Sequence, residues 1–111
     1  DLKLAKAKVQ SAEFEIAATR VTLQNKISAI SQEMESYLLQ NAMTEDMVRD
    51  YETLLRAEER KFFLGESFLF LINSRESKLI EARLKANEIE NKYFNSKARL
   101  FNTLGYLGVS S

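Results

Sequence analysis

Apolar side chains recur at every seventh position along most of the chain, a pattern typical of a coiled-coil seam. An isolated amphipathic helix drifts off a strict heptad, so the pattern predicts helices that pack lengthwise against other helices. The apolar column is Leu2, Val9, Ile16, Leu23, Ile30 and Tyr37 in the first half, and Ile72, Leu79, Ala86, Tyr93 and Leu100 in the second. A companion column in the first half starts small and becomes polar, which predicts close helix approach or a solvated face: Ala5, Ala12, Thr19, Lys26 and Glu33.

Residues that end helices are scarce, because the 111-residue chain has no proline and three glycines. Residues 1–64 contain neither type, so nothing there forces a helix to break. Gly65 can take the left-handed conformation that closes a helix, Ser67 can cap the next helix, and Gly105 can end it. These signals predict an all-α, antiparallel two-helix hairpin, with helices over about 3–63 and 67–104, a tip turn at 64–67 and a short tail at 105–111.

The predicted arms are unequal, which leaves the start of the first helix without a partner. Folding about Gly65 places residue 104 near residue 26, so the residues before that point overhang the hairpin. Other chains or further sequence can cover the overhang, or the first helix can bend near 41–44 into a three-helix bundle, although no helix breaker occurs there. The overhang needs such cover because it carries an apolar stripe: Val9, Phe14, Ile16, Val21 and Leu23.

The predicted tip is unusually aromatic. Four of the seven phenylalanines flank Gly65, at positions 62, 63, 68 and 70. One interpretation is that these rings pack between the two helices at the turn. The other is that they form an apolar surface on which a partner docks. The sequence leaves both interpretations open.

Composition excludes several kinds of chemistry. The chain has no His and no Cys, so Ser-His-Asp and Cys-His catalysis and zinc-finger-type sites are impossible, and we expect neither an enzyme nor a cofactor. Sixteen basic residues balance sixteen acidic ones, so no basic face for nucleic acid is predicted. The longest apolar run, 68–72, is far shorter than the ~20 residues of a membrane-spanning helix.

The turn segment Lys61–Arg75, in which Phe62 lies three residues before Gly65 and Glu66-Ser67 precede a helix start rich in Leu and Phe, resembles the hairpin of TolC-like outer membrane efflux proteins. In that family an aromatic residue, two further residues and a glycine precede a short polar stretch and a Leu-rich helix start. The resemblance covers essentially the whole chain. Its elements here are the helix end 51–60, the turn segment Lys61–Arg75, and downstream Lys92-Tyr93-Phe94, Ala98-Arg99-Leu100 and Leu104-Gly105.

The resemblance implies an architecture and a location. Members are trimers in which a membrane β-barrel continues into a long α-helical barrel through the periplasm, and each protomer has two repeats. This chain would be the long helix, tip and shorter helix of the C-terminal repeat, in the periplasmic part of an outer membrane protein. No strand-like stretch is present, so membrane contact would come only through a barrel outside these residues.

The resemblance also implies roles for the tip, which in the family meets the hairpins of a periplasmic adaptor protein. Phe62 takes the aromatic place, Gly65 the turn glycine and Leu69 the leucine that begins the second helix. Many members have acidic residues where this chain has Leu71 and Ser74, so a charged network closing the channel is not expected. The expected partner-binding residues are Phe62, Gly65, Glu66, Ser67 and Leu69.

Two other functions fit the same pattern. A periplasmic adaptor also has a long coiled-coil hairpin, but its arms should be similar in length and flanked by halves of a small β domain. A generic coiled-coil oligomerisation module needs only the heptads. The exported substrate, the gating mechanism and the oligomeric state of this chain are not encoded in any motif of the sequence.

Overall fold

A computed structural model describes residues 1–108 as two antiparallel α-helices. Helix α1 spans Leu2–Phe63, 62 residues, and helix α2 spans Leu69–Tyr106, 38 residues. The predicted all-α hairpin with unequal arms is therefore confirmed. Helix α1 runs unbroken through 41–44, so the bend required for a three-helix bundle is absent from it. The helix pair forms two compact units, a tip unit (Glu35–Asn95) and a terminal unit (Asp1–Met34 with the described residues from Ser96 onward).

In the tip unit the two helices meet along heptad columns. Arg83 of α2 bonds Glu52 of α1, and Arg75 pairs with Glu58, so rising numbers in one helix meet falling numbers in the other. The α2 side contributes buried Ile72, Leu79, Ala82 and Ile89, at spacings of seven and three. The α1 side includes the buried Thr44 and Glu58 and the half-buried Tyr37, Asn41, Val48, Tyr51 and Leu55.

In the terminal unit the same pattern continues with smaller and more polar residues. Ile30, Ser96 and Thr103 are buried, and Leu23, Ile27 and Leu100 are half-buried. The Thr103 hydroxyl donates to the Arg99 carbonyl at 2.9 Å, which satisfies it inside its own helix. The Arg99 guanidinium donates to the Glu33 carboxylate at 2.6 Å, a direct link between α2 and α1.

Every side chain from residue 1 to residue 22 is exposed. We call residues 2–22 of α1 the overhang. Its leucines, valines and isoleucine remain open to solvent, for example Ile16 at 63%. The expected unpartnered apolar stripe is therefore present at Val9, Phe14, Ile16 and Val21, whereas its last predicted member, Leu23, is half-buried.

Of the two interpretations of the companion column, the solvated face is confirmed for most of its length. Ala5, Ala12, Thr19 and Lys26 are exposed, and Glu33 is half-buried and bonded to Arg99 of α2. From Leu23 onward, the column that faces α2 lies one residue further along, four residues after each member of the apolar column instead of three. One residue is about 100° around a helix, so this difference turns the face by more than a quarter of a turn. The α1 column that faces α2 consists of Ile27 and Met34 in the terminal unit, and of Asn41, Val48 and Leu55 in the tip unit.

Gly65 closes α1 as predicted. Its φ is +74°, in the left-handed region that glycine enters at no steric cost. The Gly65 N–H donates to the Phe62 carbonyl at 3.0 Å, and the Glu66 N–H donates to the Lys61 carbonyl at 2.8 Å. These two bonds form a Schellman motif, which satisfies carbonyls that the helix end would otherwise leave open.

The ends of α2 differ from the prediction. Helix α2 begins at Leu69, and the Phe68 carbonyl accepts its first intrahelical bond, so Phe68 and not Ser67 lies at the N-cap. Gly105 does not end the helix, because α2 continues to Tyr106 and the residue with left-handed φ is Gly108, at +72°. Residues 109–111 of the predicted tail lie outside the described residues.

Candidate functional site

The tip of the hairpin presents exposed apolar side chains on both sides of the turn residues 65–67. Phe63 is 86% exposed, Phe70 76%, and Phe62, which extends the Leu55 column into the seam, 41%. The interpretation that the rings pack between the helices is therefore wrong for three of the four phenylalanines, and it holds in part only for Phe62. We call the exposed group the apolar tip: Phe62, Phe63, Leu64, Phe68, Leu69 and Phe70.

Three backbone N–H groups of the turn are hydrogen-bonded within the chain. The Leu64, Gly65 and Glu66 N–H groups all donate to carbonyls of the last turn of α1. On the far side, the Leu71 N–H donates to the Phe68 carbonyl at 2.9 Å. Burying a polar group without a hydrogen bond is costly, and a partner can cover these three N–H groups without leaving them unsatisfied. The tip is suited to losing its water on binding.

A carboxylate beneath the tip joins α1, the turn and α2. The Glu58 side chain is 8% exposed. The Ser67 hydroxyl donates to Glu58 Oε2 at 2.9 Å, and Arg75 Nε lies 3.7 Å from Glu58 Oε1. Ser67 therefore braces the turn through its side chain and does not cap α2. These contacts hold both sides of the apolar tip in one orientation.

Each sequence-predicted tip residue can now be placed. Phe62 and Leu69 lie in the apolar tip, Gly65 makes the turn and Glu66 is exposed beside it. Ser67 is half-buried against Glu58, so its side chain is committed within the chain. The expected partner-binding set omitted Leu64 and the Glu58 brace, and it included Phe63, Phe68 and Phe70 only through the interpretation of the rings as a docking surface. Extending the Leu55 column indicates that Phe63 and Leu64 face outward, because it puts Phe62 in the seam and the next two residues outside it.

A second exposed surface lies on α2 in the tip unit, on the face away from the seam. We call it the outer stripe. Its members follow heptad spacing of three and four and include no charged residue, although 29% of the chain is charged. Ile80, Leu84 and Phe94 are each more than half exposed. The outer stripe is Phe70, Asn73, Ser77, Ile80, Leu84, Asn87, Asn91 and Phe94.

Charged residues of the tip unit form solvent-facing pairs. Glu88 accepts from Lys92 at 3.1 Å and lies 3.8 Å from Lys85. The hydrogen bond from Lys92, followed by the positive charges of Lys85 and Lys92, lowers the pKa of the Glu88 carboxyl below its ordinary value. The arrangement is that of a solvated helix face and not of an acid or base facing a reactant.

The described residues contain neither a candidate metal-binding cluster nor a candidate membrane-spanning helix. No group of three or more acidic side chains there is placed to hold a metal ion. Neither helix, over the residues described, has a stretch long and apolar enough to cross a membrane. Comparisons of the chain with family models, with curated proteins and with solved structures find no match.

Proposed function

We propose that this chain is a docking hairpin of the kind that forms the periplasmic wall of TolC-like efflux channels, with its apolar tip as the contact for a periplasmic adaptor protein. The observation that carries the proposal is the apolar tip itself. A water-exposed turn is ordinarily polar, whereas this one presents six large apolar side chains around Gly65. An apolar patch on a soluble surface marks a site of interaction.

Three features support a protein partner at the tip. Three backbone N–H groups of the turn are already hydrogen-bonded, the Glu58 brace holds both sides of the turn, and aromatic side chains are rigid anchors that dominate binding energy. Pre-organisation of this kind reduces the entropy lost on binding. Glu66, exposed in the middle of the tip, favours a partner with a complementary polar group over a purely apolar one.

In the wall of a channel, the exposed apolar faces away from the tip would pack against neighbouring helices. In such a wall each helix has neighbours on both sides, so helix faces away from the hairpin seam must also be uncharged. The outer stripe meets that requirement in the tip unit. In a trimeric channel at the outer membrane, helices of the same protomer and of its neighbours would cover these faces.

The unequal arms weigh against an adaptor hairpin. With 62 and 38 residues, α1 extends well beyond the end of α2, whereas an adaptor needs matched arms. A coiled-coil oligomerisation module is a second candidate function, and the exposed overhang is the observation that favours it.

Calorimetric titration of the chain with a purified periplasmic adaptor protein tests the docking proposal. Phe70→Ser should weaken binding by about 30-fold or more if Phe70 is a central anchor, since such residues contribute about 2 kcal/mol. The matched control is Phe101→Ser, which removes another exposed α2 phenylalanine away from the tip and should leave binding unchanged. Equal losses in both variants would contradict docking through the tip.

Gly65→Val gives an independent check. No atom lies within 4 Å of where a Cβ would stand, so its only structural effect is to strain a backbone at φ +74°. We expect the turn to change shape and adaptor binding to be lost while circular dichroism still reports nearly the same helix content. Unchanged binding would refute the assigned role of the turn.

A further inference from the structure

The face of the overhang that carries Leu2, Val9 and Ile16 also carries a second column of small residues. That column, Ala5, Ala12 and Thr19, follows each large residue by three positions, and no charged residue interrupts the face. All six side chains are exposed, with Leu2 at 71%. Large and small residues that alternate in two heptad columns are typical of a helix face that packs against a second helix in a coiled coil.

We propose that this face binds the same face of a second copy of the chain, in antiparallel orientation, with residues whose numbers sum to 21 lying opposite each other. This inference goes beyond the docking function and does not rest on it. In that register each large residue faces a small one. Leu2 meets Thr19, Ala5 meets Ile16 and Val9 meets Ala12 of the second copy, and the two-fold axis repeats each contact. Large facing small fills every layer evenly, as close packing requires.

Charges flanking the seam select the same register. In an antiparallel pair, residues that occupy the same heptad position on the two helices lie beside each other. Lys6 of one copy therefore lies beside Glu13 of the other, and Lys8 lies beside Glu15. The two-fold axis doubles both pairs, so four attractive contacts result. Among the described residues none of these four side chains forms an ion pair within its own chain. The charges are therefore available to a second copy.

Registers shifted by one heptad bring like charges together. In the register where the numbers of opposing residues sum to 14, Lys6 lies beside Lys6 and Lys8 beside Lys8 of the second copy. A sum of 28 places Glu13 beside Glu13, Glu15 beside Glu15, and Lys6 beside Arg20. The sequence thus favours one antiparallel register and penalises both of its neighbours.

The end of α2 leaves room for this pairing. Tyr106 and Leu107 line a groove of about 420 Å³ together with overhang residues that include Ile16 and Thr19. In the register of sum 21 the second copy begins opposite residue 20, next to this groove, and Leu2 of the second copy enters it. Helix α1 of the second copy then packs on the overhang, beginning close to where α2 ends. The two copies overlap over 18 residues, about 27 Å.

The competing arrangement is a parallel pair, which would place large residues against large and small against small. Its flanking contacts are also attractive, Lys8 with Glu13 and Glu15 with Arg20 of the second copy. A parallel pair points both tips the same way, as a channel wall requires, whereas the antiparallel pair points them apart. Orientation in solution therefore separates this inference from the channel function, and tip docking stands or falls independently of it.

Charge-swap variants of the full chain, followed by sedimentation over a range of concentrations, test the proposal. Lys8→Glu and Glu15→Lys each turn two attractive contacts into repulsive ones and should each raise the dimer dissociation constant by about tenfold. The double variant exchanges the charges across the antiparallel pair and should restore the original constant. Lys3→Glu makes the same charge change outside the seam and should leave the constant unaltered.

Each other outcome overturns the inference. A chain that stays monomeric at all concentrations excludes this self-association. A double variant weaker than either single variant shows the parallel pair, because there the swap sets the new carboxylate at position 8 against Glu13 and the new ammonium group at position 15 against Arg20. Circular dichroism of each variant confirms that the helices are retained, since all the substitutions are at exposed positions.

Discussion

Two isoleucines of α2 give a direct measure of what the hairpin seam contributes to stability. Ile89 is 2% exposed, facing α1, while Ile80 is 56% exposed on the outer stripe of the same helix. Both lie in the tip unit and both are helical, so replacing either with alanine removes the same atoms from the same kind of backbone. Any difference between the two variants comes from burial.

The magnitude follows from packing. Replacing a fully buried isoleucine with alanine costs about 2–5 kcal/mol, and a core one helix pair thick can relax around the lost atoms, which favours the lower end. Alanine is the better helix former by up to about 0.5 kcal/mol, which offsets part of the loss. We expect Ile89→Ala to lower the free energy of unfolding by about 2 kcal/mol and Ile80→Ala to change it by less than about 0.5 kcal/mol.

Urea unfolding followed by circular dichroism measures both variants, compared at equal protein concentration because self-association would add to stability. Equal slopes for the two variants and the original chain would show that the midpoints report stability alone. If Ile80→Ala is as damaging as Ile89→Ala, then the outer stripe is buried in solution and the seam is not the main source of stability.

Three further substitutions, two of them paired with a control substitution, test local contacts. Gly65→Ala should cost about 1–2 kcal/mol because of its positive φ, whereas Gly105→Ala, in helical backbone with open space around it, should stabilise by up to about 1 kcal/mol; equal effects would contradict the assigned turn geometry. Ser67→Ala leaves a buried Glu58 oxygen without its donor and should cost about 1–3 kcal/mol, while the exposed Ser74→Ala should stay within about 0.5 kcal/mol; a neutral Ser67→Ala would refute the brace. Lys92→Met should raise the pKa of Glu88 toward its ordinary value in an NMR titration, since Lys92 supplies the leading cause of its depression; an unmoved pKa would assign that depression to Lys85.

The sign of the Glu88 effect sets its pH dependence. Its pKa is lower in the folded chain than in the unfolded chain, so the contacts with lysine stabilise the fold at pH values above the unfolded pKa. That contribution disappears as the pH falls through the folded pKa. Lys92→Met should therefore weaken the pH dependence of unfolding in the acid range and not near neutrality.

The fold could be predicted from the sequence because its signals are local and repetitive. Seven-residue columns, the absence of proline and a single well-placed glycine predicted the two helices and the turn at Gly65. The sequence left close approach and a solvated face open for the companion column, because a spacing of three and a spacing of four both continue a heptad, and only contacts with α2 distinguish them. Here Ile27 and Met34 are half-buried while Lys26 is exposed.

The candidate site was harder to predict. Whether the tip phenylalanines face inward depends on where the turn directs them, and that follows from the Schellman geometry of Gly65 together with the start of α2 at Leu69. The Glu58 brace joins residues nine and seventeen positions apart, and such contacts leave no periodic signal. The role of Ser67 was mispredicted for the same reason. Its hydroxyl donates to Glu58 instead of capping the backbone of α2.

Chemical-shift mapping of the isotope-labelled chain with a purified periplasmic adaptor protein would test the docking tip most directly. We expect shifts concentrated at the apolar tip and its immediate neighbours, residues 60 to 72, with little change on the outer stripe beyond Phe70. Shifts confined to the overhang or to the rest of the outer stripe, or no shifts at saturating adaptor, would contradict it.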